Sequence, residues 1–480
     1  MKKFASIFVL CLTAIFLPSM RVDGQAVSSL SQVKKVYVEP FSAGDKAGQL
    51  RVSLSKRLQK SGKYTVVDTP KDADAIVKGN GQIWVKGYFT TNARAPATNR
   101  EAIYGGFLSV EIVSKNGEPL WSYLVTPSKM SWRSVADDLA TSMVKELVSD
   151  AGENAPSAVT TSGVAVLDKA ELSGAGATFP APLYTKWFHS FEDLHPGVQL
   201  HYEAVGSDAG LKKLAENKVD FAAADISRKD DAAAQEKVPM RRIASVLGGV
   251  VPIYNLEGVT QDLKFTPAVL ANIYLGKIKK WNDPEIRKSN GNIDLPDRDI
   301  VIFHRSDGSG TTYVWSDFLS RVSPGWKSAV GVGSTLTWPT GTGAQGNEAL
   351  SAAVQNTPNS IGYTELVYAI QHQLSFGAVQ NSSGEYVRAS LDSVAEAART
   401  AGTDASSSII NAPGKNAYPI ASFTWLFFPQ AIADTAKKAA IEELIHWILT
   451  SGQKECSALG YAPLPREVIN SELNMLSSYK

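Results

Sequence analysis

Three short polar clusters contain the residue types that bind a small oxyanion. They are Gly174-Ala-Gly-Ala-Thr-Phe-Pro180, Gly206-Ser-Asp208 and Arg305-Ser-Asp-Gly-Ser-Gly-Thr311. Each stands between a strand-like run and a predicted helix start, where backbone N–H groups lack partners and the helix dipole favours negative charge. Singly, each cluster also fits an ordinary helix cap, because glycine and serine are common there. Together, three such helix starts predict a desolvated pocket for a tetrahedral oxyanion.

The elements that position these clusters follow an alternating strand and helix pattern, which predicts open sheets covered on both faces. Strands are predicted over 199–205 and 219–223, with a helix over 209–218. Two sets of apolar residues have helical spacing and predict core-facing helices. They are Leu183, Trp187, Phe188, Phe191 and Leu194, with Pro182 in the first turn, and Tyr313, Val314, Trp315, Phe318 and Leu319.

The segment 33–152 predicts a separate small α/β domain. Strands are predicted over 36–41, 64–68 and 75–78, followed by a hairpin of 107–113 and 120–125 around Asn116-Gly117. One helix is expected to bury Leu50, Val52, Leu54 and Leu58, and another to span 135–148. Residues 150–163 are rich in Ala, Ser, Thr, Gly and Pro without periodicity, which predicts a flexible linker, placed at 153–170.

The first 24 residues have the pattern of a secretory signal peptide. Two lysines precede an apolar run from Phe4 to Leu17, which is too short for a membrane span of roughly 20 residues. Without this segment the chain carries 45 basic and 46 acidic residues, and near neutrality argues against nucleic acid as a partner. Cys456 then remains alone, so no internal disulfide is expected. We expect an exported, soluble mature protein.

From residue 172 to the C-terminus the sequence resembles the periplasmic phosphate-binding proteins of bacterial phosphate ABC importers. The matching motifs follow the family's order. They are 174–182, Val219-Asp-Phe-Ala-Ala-Ala-Asp225, Ile273-Tyr-Leu-Gly-Lys-Ile-Lys-Lys-Trp281, 305–311 and Asn359-Ser-Ile-Gly-Tyr363. The resemblance implies an α/β, two-lobed periplasmic binding protein fold of the class II type with a hinged cleft. Lobe one would hold 172–254 and 420–480, and lobe two 255–419, within a domain of 171–480.

The resemblance also implies which residues would hold phosphate, and it implies no cofactor. They are Thr178, Phe179 (main-chain N–H), Ser207, Asp225, Arg305, Ser309, Gly310 (main-chain N–H) and Thr311, with Asp307 orienting Arg305. Asp208 stands where several relatives carry Ser or Gly, so its side chain is assigned no contact. An ionised Asp225 can accept a hydrogen bond from a protonated phosphate oxygen but should repel sulfate, which has no proton. The alternative for Asp225 is a helix cap after a strand.

Three other sequence features do not indicate a nucleotide site, a nucleophile or a metal site. Gly341-Thr-Gly-Ala-Gln-Gly346 fits the dinucleotide pattern, but Pro339 makes the preceding run a poor strand, so close packing at a helix start is favoured. Gly308-Ser309-Gly310 lacks the glycine that a nucleophile elbow needs at Asp307. The six histidines show no paired metal spacing, and His304 is interpreted as structural.

The predicted function is capture of inorganic phosphate in the periplasm and its delivery to the membrane permease of an ABC importer. The alternatives are a scaffold or adhesion protein with a vestigial site, or a phosphatase, which the absence of metal spacing and of an activated nucleophile disfavours. Residues 33–152, with a β-α-β-β-β-α order, faintly resemble envelope domains related to curli-assembly and peptidoglycan-associated lipoproteins. That domain either binds an envelope partner or packs against the binding domain.

Overall fold

The structure is a computed structural model that describes most of the chain. The described residues are 27, 29–41, 46–90, 100–127, 134–152, 167–226, 239–400, 402, 404–406 and 408–477. The predicted signal peptide and residues 153–166 of the predicted linker lie outside them.

The described residues form strands and helices in the following order. The strands are β1 (Lys35–Val38), β2 (Thr65–Val66), β3 (Ala75–Thr90), β4 (Arg100–Ser114), β5 (Pro119–Val125), β6 (Ala170–Gly176), β7 (Val198–Ala204), β8 (Phe221–Ala224), β9 (Met240–Asn255), β10 (Lys264–Phe265), β11 (Val301–Arg305), β12 (Thr342–Ala344), β13 (Ser360–Glu365), β14 (Ser375–Phe376), β15 (Ala378–Gln380), β16 (Tyr386–Val387) and β17 (Ala421–Pro429). The helices are α1 (Ala47–Lys60), α2 (Val135–Asp150), α3 (Ala181–Leu194), α4 (Ser207–Ala215), α5 (Pro267–Tyr274), α6 (Pro284–Ser289), α7 (Gly310–Val322), α8 (Pro324–Ala329), α9 (Gly346–Asn356), α10 (Leu366–Gln371), α11 (Leu391–Arg399), α12 (Thr435–Trp447), α13 (Gln453–Cys456) and α14 (Arg466–Ser477).

Residues 30–152, here called the N-terminal domain, build their own sheet and core. Within the described residues, the strand order is β2-β1-β3-β4-β5, with β1 parallel to its two neighbours and the remaining pairs antiparallel. Leu108, Val110 and Ile112 alternate along β4 and pack with α1 and α2 in one hydrophobic cluster. This period-two burial is expected of a sheet covered by helices on one face.

Three details of the N-terminal domain differ from the predictions. Four strands lie between its helices, which agrees with the four predicted strand ranges but not with the β-α-β-β-β-α order, and β3 runs to Thr90 instead of ending at Lys78. Val52 is 65% exposed, because residues 50, 54 and 58 alone repeat at the four-residue spacing that faces the core. Pairing with β4 along its length explains why β3 continues through glycines that weaken the local strand pattern.

The second sheet runs through both lobes of the binding domain. Its order among the described strands is β12-β11-β13-β9-β17-β8-β6-β7, with β14 also on β9. The long strand β9 pairs with β17 from Met240 to Gly249 and with β13 from Val250 to Asn255. Its change of partner therefore joins lobe one, which holds β6, β7, β8 and β17, to lobe two, which holds β11, β12 and β13. Parallel strands within each lobe direct their carboxyl ends towards the cleft.

Helices cover both faces of this sheet, as the alternating pattern predicted. Leu183, Trp187 and Phe191 are fully buried on α3, whereas Leu194 is 43% exposed at the last position of that helix. The prediction for Leu194 is therefore wrong, because the stripe ends one turn earlier, where the chain leaves the sheet. Among the residues that the structure describes, no helix combines the length and apolar character needed to cross a bilayer.

Candidate functional site in the cleft between the lobes

Three helix starts face one another across the cleft. Thr178 and Phe179 precede α3, Ser207 begins α4, and Ser309 caps α7 by accepting a hydrogen bond from the N–H of Thr312 at 3.2 Å. The first two helices follow strands of lobe one, and α7 follows β11 of lobe two. The positive ends of three helix dipoles are thereby directed at one region.

The two lobes touch at Gly310. Its N–H donates to Ser207 Oγ of the opposite lobe at 3.1 Å. A Cβ placed on Gly310 would lie 2.5 Å from Asp225 Oδ2 and 2.6 Å from Ser207 Oγ. Three of the predicted ligand residues therefore meet within van der Waals distance, and only glycine permits the approach.

Asp225 is buried with one oxygen satisfied and the other not. Thr424 Oγ1 donates to Oδ1 at 2.5 Å, while Oδ2 has no hydrogen-bond partner among the described residues. Burial raises the pKa of Asp225 to about 7, against the opposing effects of the Thr424 hydrogen bond and the positive charge of Arg305. A buried acceptor without a partner marks a place for a ligand that bears a proton.

Arg305 lies at the end of β11 with its guanidinium 1% exposed. Its Nε donates to Asp307 Oδ1 at 2.7 Å, and its Nη2 donates to Asp307 Oδ2. Burial opposes ionisation of Asp307, but the bonds and charge of Arg305 outweigh it and hold the pKa of Asp307 below its usual range. The pair was predicted, and its bidentate geometry fixes the plane of the guanidinium.

The second terminal nitrogen of Arg305 faces a group of polar side chains. Nη1 donates to Asn347 Oδ1 at 3.1 Å and to Thr311 Oγ1 at 3.4 Å. Asn347 in turn donates from Nδ2 to Thr311 Oγ1 at 3.2 Å, and from its N–H to Thr178 Oγ1 at 3.4 Å. Asn347 therefore links Thr178 of lobe one to Arg305 and Thr311 of lobe two.

Phe179 is held by contacts that leave its main chain beside the cleft. Its carbonyl oxygen accepts a hydrogen bond from Tyr461 at 2.7 Å, and its ring packs against Gly248, where a Cβ would lie 2.4 Å from Cε1. Tyr368 of lobe two donates to the carbonyl oxygen of Thr178 at 2.5 Å. The bend before α3 is thus fixed from both lobes.

Several residues that the sequence reasoning missed support this site. Asn347, Thr424 and Tyr368 contact predicted ligand residues directly, and Tyr363 donates within lobe two to Thr312 or accepts from it at 2.6 Å. Asn347 could have been found, because it follows a glycine run at a helix start. Thr424 lies in the interior of β17 and gave no local signal.

The structure shows what the glycine run 341–346 and His304 contact. The glycine run 341–346 contains β12 and begins α9, and the N–H of Gly346 donates to Asp307 Oδ1 at 3.1 Å. His304 stacks on Trp338 with ring centroids 4.6 Å apart, and burial lowers its pKa. Within the described ranges, no group of three His, Cys, Asp or Glu residues is arranged to hold a metal ion.

Comparisons with known proteins place the chain in a family. The model of the PBP superfamily domain matches residues 152–451. Phosphate-binding protein PstS of Pasteurella multocida (strain Pm70) is 38% identical over 303 residues, covering 62% of this chain and 87% of that protein. Phosphate-binding protein PstS of Xylella fastidiosa (strain Temecula1 / ATCC 700964) is also 38% identical, over 62% of this chain and 83% of its own. The chain belongs to the PstS family of the PBP superfamily.

Solved structures agree with this PstS fold. The crystal structure of a DING protein has a TM-score of 0.51 at 19% identity, covering 64% of this chain and 94% of that chain. The two-lobed α/β fold predicted for 171–480 is confirmed. The family match begins at residue 152, so the N-terminal domain precedes the PstS segment.

Proposed function

We propose that this chain captures inorganic phosphate in the cell envelope and delivers it to the membrane permease of an ABC-type phosphate importer. The observation that carries the proposal is the buried Oδ2 of Asp225, which has no partner among the described residues and lies beside Gly310 and Ser207 in the cleft. Relatives at 38% identity are named phosphate-binding proteins, which supports the same ligand for this chain.

The proposed phosphate ligands come from both lobes. Lobe one supplies hydroxyls, a main-chain N–H and the acidic acceptor, and lobe two supplies the guanidinium, hydroxyls and a main-chain N–H. They are Thr178, Phe179, Ser207 and Asp225 from lobe one, and Arg305, Ser309, Gly310 and Thr311 from lobe two, with Asp307 in support. Because neither lobe holds a complete set, closure of the cleft completes the site.

Electrostatics explains how a dianion can be held by one arginine. Asp307 neutralises much of the charge of Arg305, so the guanidinium contributes mainly directed hydrogen bonds. Helix N-termini and hydroxyls supply the remaining stabilisation without adding net charge. Such a site distinguishes anions by their hydrogen-bonding pattern more than by their charge, which is the property needed to separate phosphate from sulfate.

The proposed organisation places a secretory signal at 1–24, a small α/β domain at 33–152, which begins three residues inside the N-terminal domain as the structure defines it, a linker at 153–170 and the binding domain at 171–480. Separate hydrophobic clusters for the N-terminal domain and the binding domain support the division. Export into the periplasm is the proposed location. Contacts between the N-terminal domain and the binding domain support the packing role over an envelope partner.

Titration of the purified chain with phosphate, arsenate and sulfate by calorimetry tests the function. We expect tight binding of phosphate and arsenate, both of which retain a proton near neutral pH, and binding of sulfate that is weaker by at least about 100-fold. Comparable affinities for phosphate and sulfate, or no phosphate binding, would contradict the proposal. Incubation with a phosphate ester tests the phosphatase alternative, and release of phosphate would support it.

A further inference from the structure

A hydrogen bond between Asp208 and Ser334 joins the two lobes beside the candidate site. Ser334 Oγ donates to Asp208 Oδ2 at 2.7 Å. Asp208 is the second residue of α4 in lobe one, whereas Ser334 follows α8 in lobe two and accepts a main-chain bond from Ser309 at 3.0 Å. The contact therefore connects α4 to the loop after α8 and, through the main-chain bond, to Ser309 at the start of α7.

Close approach of the main chains accompanies this bond. The N–H of Asp208 donates to the carbonyl oxygen of Gly308 at 3.3 Å. A Cβ on Gly308 would lie 2.3 Å from Asp208 Oδ2, and a Cβ on Gly206 would lie 2.8 Å from Asp307 Oδ2. Because neither glycine has a side chain, the two loops can meet. The carboxylate of Asp208 therefore packs against Gly308 of the opposite lobe and not into solvent.

We propose that Asp208 is a positioning residue that holds the cleft closed over the bound anion through Ser334. The proposal rests on the phosphate-binding function proposed above. Because the two partners belong to different lobes, their bond forms only when the lobes come together. The negative charge of Asp208 beside an anion site does not favour binding by attraction, so its contribution lies in slowing the opening of the cleft.

Stopped-flow dissociation of phosphate from the full chain tests this role. Asp208→Ala and Ser334→Ala should each raise the dissociation rate about tenfold, the size expected for a hydrogen bond to a charged group, while the association rate changes little. The double variant should dissociate no faster than the single variants, because both substitutions remove the same bond. Asp208→Asn keeps an acceptor for Ser334 and should dissociate within about threefold of the unsubstituted chain.

The outcomes separate this proposal from the proposed function. If the unsubstituted chain fails to bind phosphate, the function is wrong. If it binds and Asp208→Ala dissociates at the original rate, or if the effects of the two alanine variants multiply, Asp208 does not act through Ser334.

A different set of contacts attaches the N-terminal domain to both lobes. Towards lobe one, Ser122 Oγ donates to the carbonyl oxygen of Lys454 at 2.5 Å and accepts from the N–H of Ala458 at 3.2 Å. Towards lobe two, Lys86 Nζ lies 2.7 Å from Asp262 Oδ1. These contacts come from the face of the sheet that α1 and α2 leave uncovered.

Further contacts show that each attachment is more than one bond. Ser109 Oγ donates to the carbonyl oxygen of Ala458 at 2.7 Å on the side of lobe one. On the side of lobe two, Tyr123 donates to Asp392 at 3.1 Å, and Arg388 Nη1 donates to Thr126 Oγ1 at 3.4 Å. Within lobe two, Arg388 also pairs with Asp262 at 3.0 Å. Burial opposes ionisation of Asp262, but Arg388 and Lys86 hold its pKa below its usual range.

From these contacts we infer that the N-terminal domain acts as a strap, meaning that it binds both lobes at once. Its binding to the lobes is then coupled to closure of the cleft. A single domain bound to both lobes resists any motion that separates them. The coupling is reciprocal, so bound phosphate should also tighten the docking of the N-terminal domain. This inference likewise rests on phosphate as the ligand that closes the cleft.

Variants at the two ends of the strap test the inference in the full chain. Lys86→Glu places like charges beside Asp262, and Ser109→Ala together with Ser122→Ala removes the hydrogen bonds of both serines to lobe one. Each of these two end variants should raise the phosphate dissociation rate about threefold to tenfold. Lys86→Ala, a milder change, should shift the rate in the same direction. Combining Lys86→Glu with the two serine substitutions should add little, because a domain released at one end no longer joins the lobes. Lys60→Ala on α1 is the matched control and should leave the rate unchanged.

Hydrogen exchange supplies the reciprocal measurement. Phosphate should slow exchange of the Ala458 amide, whose N–H donates to Ser122. Unchanged dissociation in both end variants, or effects that multiply when combined, would show that the domain is only packed against the lobes.

Discussion

Thr424 Oγ1 donates to Asp225 Oδ1 at 2.5 Å, and this bond determines which oxygen of Asp225 is left for a ligand. The remaining oxygen, Oδ2, is buried beside Gly310 and without a partner among the described residues. Thr424 lies on β17, one of the two strands that run beside each other at the junction of the lobes. Asp225, the residue proposed to distinguish phosphate from sulfate, is therefore oriented by a strand at the junction around which the lobes close.

Replacing Asp225 with Asn should reduce selectivity between phosphate and sulfate. The amide can present a donor where the carboxylate presents only an acceptor, so sulfate gains a partner in place of a repelling charge. We expect the ratio of phosphate to sulfate affinity to fall at least about tenfold, measured by calorimetry. Asp317→Asn, which removes a carboxylate from α7 outside the cleft, should leave the ratio unchanged.

Sulfate binding should depend on pH through Asp225. Burial raises the pKa of Asp225 to about 7, so the carboxyl group is protonated below that pH and can donate to an anion that has no proton of its own. Above it, the ionised group repels sulfate, which stays fully ionised throughout. We expect sulfate to bind about tenfold more weakly at pH 8 than at pH 6, because binding then requires uptake of one proton. In Asp225→Asn the sulfate affinity should be flat over this range, and a pH dependence retained there would assign it to another group.

Replacing Asp307 with Asn should destabilise the empty protein more than the occupied one. The substitution leaves the buried Arg305 without its charged partner, which costs about 3 kcal/mol in the free energy of unfolding. A bound phosphate would supply the missing negative charge. Differential scanning calorimetry should therefore show a lower Tm without phosphate and a larger rise on adding phosphate than in the unsubstituted chain. An equal rise in both proteins would argue that the anion does not contact Arg305.

Replacing Gly310 with Ala should block closure of the cleft. The new Cβ would lie 2.5 Å from Asp225 Oδ2 and 2.6 Å from Ser207 Oγ, both in the opposite lobe, so the clash is relieved by opening. We expect phosphate affinity to fall about 100-fold while the Tm of the empty protein changes little, since alanine suits the first turn of α7. Gly48→Ala on α1, where nothing lies within 4 Å of the added Cβ, should keep full affinity.

Local sequence patterns predicted the helix starts beside the site, and the family resemblance supplied the ligand residues. The start of α7 at Gly310 follows from capping residues and apolar spacing, whereas α4 begins at Ser207, two residues before its predicted start. The pairing of Arg305 with Asp307 was implied by the resemblance and is present in the structure. Predictions of burial failed where an apolar residue lay at the edge of a helical stripe. Val52 and Leu194 are apolar and close to a helical stripe, yet both are exposed, because only the packed structure determines where a stripe begins and ends.

The sequence by itself determined the residue types of the proposed site, the class of fold and the boundary pattern that separates a small first domain from a two-lobed second one. The tertiary structure alone decided which distant residues meet: Thr424 with Asp225, Asn347 with Thr178 and Arg305, Ser334 with Asp208, and the N-terminal domain with both lobes. The physical reason is that capping, periodicity and charge pairing act over a few residues along the chain. Contacts across the cleft depend on the strand order and on the angle at which the two lobes close. Neither can be predicted from a short segment of the sequence.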